Sequence, residues 1–195
     1  MMNNKSIATL RILLYNLKKS TRRKKLILYP KAHFNNVKEI SIEFLKKNNI
    51  KALILDVDNT LIDYDRNMPD GIVEWVEQLK YDGIKFYIVS NTNKKDKVEQ
   101  VSQKLKIKYN YFAKKPLKTG LLKAQKELQE KPENIAVVGD QIFTDVLGGN
   151  RCKMFTILIE PIAEKDIWLT KVKRPIEIFI KKKYFKKINK GGDMD

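Results

Sequence analysis

A chain of 195 residues, 43% hydrophobic and 32% charged, is long enough for one α/β domain with extensions and too apolar to be disordered. One cysteine, Cys152, excludes an intrachain disulfide and fits a reducing, cytoplasmic compartment; one histidine, His33, excludes a His-based metal cluster, so any metal must take oxygen ligands, which points to Mg²⁺. The net charge of +17 is uneven, with 12 Lys/Arg against 2 acids in residues 1–50, 18 against 16 in 51–160 and 10 against 5 in 161–195, which excludes an acidic solvating chain and predicts a near-neutral catalytic body between two basic extensions that seek an anionic surface.

Taken in chain order, residues 6–17, SIATLRILLYNL, are the most apolar stretch of the first extension. Arg11 interrupts them, and they fall short of the ~20 apolar residues of a spanning helix. No small-residue cleavage site follows, so the segment reads as uncleaved, either packed on the body or lying on a membrane surface. Four aliphatic runs then read as buried parallel strands: KALILD (51–56), KFYIVS (85–90), NIAVVGD (134–140) and MFTILIE (154–160). A short fifth strand is predicted near YNYFA (109–113). Between them, residues 71–83 place Ile72, Val73, Val76 and Leu79 on one helical face and stop at Asp82-Gly83. Residues 95–106 repeat the pattern with Val98, Val101 and Leu105. Residues 116–130 open a helix with Pro116, and 144–150 form a short helix ended by Gly148-Gly149. Alternating strands and helices predict a doubly wound, Rossmann-like α/β fold: a mostly parallel five-stranded sheet with helices on both faces.

In such sheets ligands bind beyond the C-terminal strand ends. Asp56 ends the first strand and Asp58 follows it; Ser90 and Asn91 end the second. Lys114-Lys115-Pro116 follows the weak strand, and Asp140 ends a later one with Asp145 close behind. Two carboxylates two residues apart repel each other, so stability alone does not select them. On a phosphate monoester this set has a coherent chemistry. Asp56, Asp140 and Asp145 hold Mg²⁺, with a backbone carbonyl near Asp58. Ser90 or the neighbouring Asn91 amide binds a phosphoryl oxygen, and the lysine pairs with the phosphate and the acids. Asp56 attacks phosphorus, and Asp58 serves as acid, then base. A Ca²⁺ loop is excluded, because residues 56–67 lack the central glycine and terminal glutamate. His33 reads as structural, and Cys152 has no assigned role.

These ordered motifs, LILDVDNTL, YIVSN, AKKP and VVGDQIFTD, resemble the haloacid dehalogenase (HAD) superfamily of phosphohydrolases over residues 51–160. The resemblance implies that Asp56 is the nucleophile, Asp58 the acid/base and Mg²⁺ the cofactor. Asp145 either ligates the metal or acts through water or the lysine. Lys115 is preferred to Lys114 as the site lysine because it directly precedes Pro116. The gaps between motifs leave no room for a cap domain, so the site opens to solvent.

Residues 28–61 and 139–162, including the Gly-Gly-Asn-Arg turn, further resemble the YqeG-like, class IIIA branch. That branch includes phosphatidylglycerophosphate phosphatases. The resemblance implies conversion of phosphatidylglycerophosphate to phosphatidylglycerol by an enzyme peripheral to the inner face of an anionic membrane. The basic ends fit this reading. Residues 175–190 read either as a helix packed on the body or as a lipid-docking helix using Phe179, Ile180, Tyr184 and Phe185, and GGDMD (191–195) as a disordered tail. The alternatives are the same chemistry on a soluble or nucleic-acid phosphomonoester, or a basic nucleic-acid- or ribosome-binding protein with a vestigial site. No nucleic-acid recognition motif is present, so no specific nucleic-acid partner is expected.

Overall fold

A computed structural model describes residues 27–163, 179–184 and 186. The apolar segment 6–17, Phe185 and the tail 191–195 lie outside them. Six parallel strands form one sheet: β1 (Ala32–Phe34), β2 (Ala52–Leu55), β3 (Lys85–Val89), β4 (Tyr109–Asn110), β5 (Ile135–Gly139) and β6 (Phe155–Ile159), ordered β1-β6-β5-β2-β3-β4. Among the described residues the helices include α1 (Ile42–Lys47), α2 (Ile72–Tyr81), α3 (Lys95–Leu105), α4 (Lys118–Leu128) and α5 (Leu147–Arg151), and residues 179–184 are helical as well.

The alternation inside each strand divides the core. Leu53, Leu55, Phe86, Ile88, Ala136 and Val138 face one layer, packed with Leu45 of α1, Ile72, Val76 and Leu79 of α2, and Val98, Val101 and Leu105 of α3. Ala52, Ile54, Tyr87, Val89, Ile135 and Val137 face the other, against Leu121, Ala124 and Leu128 of α4. A period of two in the strands and of 3.6 in the helices makes this double layering inevitable once the strands pair. The central strands are buried on both faces, so their sequences read as unbroken apolar runs.

The sheet has six strands rather than the predicted five. β1 is only three residues long and carries no alternating pattern of its own; pairing Ala32, His33 and Phe34 with Ile157, Leu158 and Ile159 makes it a strand. Part of the stretch read as a basic extension is therefore built into the body, and Val37, Ile40, Leu45 and Ile50 are core residues. β4 is shorter than predicted, because Tyr111–Ala113 leave the sheet and turn towards the site.

The helix predicted from Pro116 begins at Lys118, after an extended Leu117. Gly148-Gly149 does not end the short helix but lies inside α5, preceded by a π-helical turn over Ile142–Val146. A Cβ on Gly149 would sit 2.5 Å from the Thr156 methyl, so this glycine exists to let α5 lie on the sheet. At the far end of the chain, Tyr184 is buried with its ring 5.9 Å from that of Tyr29, and Ile180 packs on Ile142, Val146 and Leu158. Both pack on the body, Ile180 against an apolar cluster that includes Leu158.

Candidate active site

The strands all run parallel, but the order in which they are added reverses between β2 and β5: β3 and β4 extend one side, β6 and β1 the other. A crevice therefore opens beyond the C-terminal ends of these two strands. Asp56 follows β2, its backbone N–H still donating to Val138 O at 3.0 Å. Asp140 follows β5, and Ser90 follows β3 as a fully buried residue.

Lys115 ties these ends together. Its Nζ donates to Asp56 Oδ1 at 2.6 Å, to Asp145 Oδ1 at 2.7 Å and to Val89 O at 2.8 Å, using all three ammonium hydrogens. The side chain is 2% exposed. Burial alone would depress its pKa, but Asp145 and Asp56 outweigh that and hold it above the usual lysine range. Lys114 points away, with a left-handed backbone (φ 55°) and its Nζ 5.0 Å from the Phe112 ring centroid. Of the two lysines the sequence offers, Lys115 is the one among the carboxylates.

One ammonium does not neutralise the acids around it. Asp56, Asp140 and Asp145 each present a carboxylate oxygen within 4.8 Å of one another. Burial pushes the Asp56 carboxyl up to about 7; Lys115 opposes the rise, and the charges of Asp145 and Asp58 add to it. Three clustered carboxylates offset by one lysine leave room for a divalent cation, and an all-oxygen donor set suits a hard one. The residues fit Mg²⁺.

The π turn lets Asp145 reach inward. Its Oδ1 accepts from Lys115, and its Oδ2 accepts from Gln141 N and Thr144 Oγ1, both at 3.2 Å. Gly139 makes this approach feasible, since a Cβ there would lie 2.3 Å from Asp145 Cγ. Asp58 faces outward, its side chain 38% exposed at the mouth of the site. Ser90 Oγ lies 3.5 Å from Asp58 Oδ2 and accepts from Thr92 N at 3.1 Å. The next residue, Asn59, has the left-handed φ of 61° that asparagine tolerates, and its Oδ1 accepts from Ala163 N.

Asn91 sits beside the site, but its side chain is committed to the backbone of Lys115: Nδ2 donates to Lys115 O at 2.9 Å, and Oδ1 accepts from Lys115 N at 2.6 Å. It positions the lysine. The Asn91 amide, expected to bind a phosphoryl oxygen, thus belongs to a residue whose side chain is engaged with the Lys115 backbone.

The sequence reading missed Lys97. It is 8% exposed and pairs with Asp58 Oδ1. A lysine in the first turn of α3 opposes the helix dipole, so its burial there needs a compensating anion, and Asp58 supplies it. The available signal was position: Lys97 shares the apolar face of α3 with Val101 and Leu105.

Comparisons with known proteins place the chain in a family. A family model described as "Mitochondrial PGP phosphatase" matches residues 13–163. The chain is 41% identical over 149 residues to the "Probable phosphatase YqeG" of Bacillus subtilis (strain 168), covering 76% of this chain and 86% of that protein. Among solved structures, an uncharacterized protein from Listeria monocytogenes serotype 4b aligns at 19% identity and a TM-score of 0.47, over 68% of this chain and 99% of that one. The cobalt-bound deoxy-D-mannose-octulosonate 8-phosphate phosphatase of Haemophilus influenzae aligns at 20% identity and 0.43, over 49% and 61%. The chain belongs to the mitochondrial PGP phosphatase family and is a YqeG-like phosphomonoester hydrolase.

Proposed function

We propose that the protein is a Mg²⁺-dependent phosphatase that removes the phosphate of phosphatidylglycerophosphate at a membrane surface, leaving phosphatidylglycerol. The observation that carries the chemistry is the Lys115 knot, which joins Asp56 and Asp145 beside Asp140. The family description supports the substrate, and no helix among the described residues is long and apolar enough to cross a membrane.

Asp56, Asp140 and Asp145 would hold Mg²⁺, which when bound favours the ionised carboxylates and offsets the charge of an incoming phosphate. Lys115 orients Asp56 through Oδ1. Asp56 attacks phosphorus; an aspartyl-phosphate bond forms as the ester P–O bond breaks, and Asp58 gives its proton to the departing alkoxide. Asp58 then takes a proton from the water that attacks the aspartyl-phosphate, which releases phosphate and restores Asp56. Ser90 and the Asn91 amide steady the phosphoryl oxygens. Lys97 fixes the carboxylate of Asp58 at the mouth, where both leaving group and water arrive.

The test is Mg²⁺-dependent phosphate release from phosphatidylglycerophosphate in mixed micelles, with soluble phosphomonoesters alongside and Asp56→Asn as the blank. Preference for the lipid is expected. Turnover of soluble esters alone would retain the chemistry and overturn the substrate.

A further inference from the structure

The basic ends of the chain are not its only cationic feature. From Lys106 to Lys126 the sequence has seven lysines and no aspartate or glutamate. Lys115 is buried in the site, and the other six are exposed. Four large apolar side chains are exposed in the same stretch: Tyr111 (38%), Phe112 (54%), Leu117 (50%) and Leu122 (46%). Elsewhere, Tyr81 stands alone at the end of α2, and Phe179 is stacked under Lys183 with its neighbours Ile180 and Tyr184 turned inward. This stretch interleaves four exposed apolar side chains with six exposed lysines, and its nearest acid in sequence, Glu127, pairs with Lys108.

The rim is attached to the catalytic loop. Phe112 N donates to Thr92 O and Ala113 N to Ser90 O, both at 2.9 Å, and the Asn91 carboxamide clamps Lys115. α4 starts at this edge, and Lys118 and Leu122 share its outward face, one turn apart. Whatever the rim rests on is therefore presented to the crevice.

We propose that the rim of Tyr111, Phe112, Lys114, Leu117, Lys118 and Leu122 is a docking surface for an anionic lipid bilayer. The apolar side chains enter the headgroup boundary and the lysines meet acidic headgroups. Aliphatic Leu117 and Leu122 cannot stack on bases, and the rim's cations are lysines rather than arginines; both favour a lipid over a nucleic acid. This deepens the proposed function and rests on its placing the substrate at a membrane.

The test measures sedimentation of the full chain with substrate-free vesicles of phosphatidylglycerol and phosphatidylcholine. Two variants of equal charge are compared: K114E/K118E at the rim, and K46E/K47E at the exposed end of α1, on the opposite sheet edge. A third, F112S/L117S/L122S, removes only the apolar contacts. Both rim variants should bind at least about tenfold more weakly, with K46E/K47E nearly unchanged. The serine variant should still hydrolyse a soluble ester at the wild-type rate, which shows that it is folded. Equal losses in the two charge variants, no loss in the serine variant, or rim-dependent RNA binding in preference to vesicles would overturn the proposal. Because the vesicles carry no substrate, rim-dependent binding would support docking even if phosphatidylglycerophosphate is not turned over.

Discussion

Replacing Lys115 by methionine keeps the length of the side chain and deletes its charge. The folded protein then loses three hydrogen bonds of 2.6, 2.7 and 2.8 Å and leaves two carboxylates buried without their cation. Removing one partner of a buried ion pair costs about 3–5 kcal/mol. Asp56 has an escape, since its carboxyl already titrates at about 7 and can take up a proton. Asp145 is 1% exposed and loses the hydrogen bond from Lys115 Nζ. The lower end, about 3 kcal/mol near neutral pH, is therefore expected, or roughly 6–12 °C in Tm for a chain of this size. Thermal unfolding followed by circular dichroism, at about pH 5 and about pH 8, reads it directly. The loss should be larger at the higher pH, where protonation no longer relieves the acids. Combining Lys115→Met with Asp145→Asn should recover stability, giving a coupling of at least about 1 kcal/mol. A Tm drop of less than about 2 °C at the higher pH, or additive effects in the double variant, would refute the charge account. Phosphate release should be abolished in the single variant.

Three further outcomes are expected. Asp56 is raised from 3.8 to about 7, so the folded protein holds a proton that the unfolded chain gives up; without divalent cation the contribution of Asp56 to stability is greatest below about pH 4 and is lost as pH rises through about 7. Mg²⁺ should displace that proton, so the Tm gain on adding Mg²⁺ should grow between about pH 5 and about pH 8, and a flat gain would show that Asp56 is not a ligand. Gly139→Ala should cost about 1–3 kcal/mol and lower phosphatase activity at least about tenfold, because the new methyl displaces Asp145; calorimetry and a phosphate assay check both, and wild-type behaviour would contradict the close approach. Lys97→Met should lower kcat about tenfold and move the pH–rate profile, with Lys97→Arg restoring part of it; an unmoved profile would remove Lys97 from the control of Asp58.

Local pattern carried much of this protein. The runs around Leu53–Leu55, Phe86–Val89 and Ile135–Val138 are apolar because central parallel strands are covered on both faces, so the sequence alone placed them and put Asp56, Ser90 and Asp140 at their ends. Helices α2 and α3 were legible from their 3.6-residue stripes. Other features depend on partners distant in the chain and leave no local trace. β1 is a strand only because β6 lies beside it. Position before Pro116 favours Lys115 over Lys114 in sequence, but it is folding that lays Lys114, with its left-handed backbone, over Phe112 and puts Lys115 among the acids. Lys97 reads as one of 40 basic residues until folding brings it to Asp58, 39 positions away. Ile180 and Tyr184 look fit for lipid until the body offers them a surface. Periodicity and strand-end chemistry are encoded residue by residue, whereas charge pairing and burial are decided by which segments the sheet brings together.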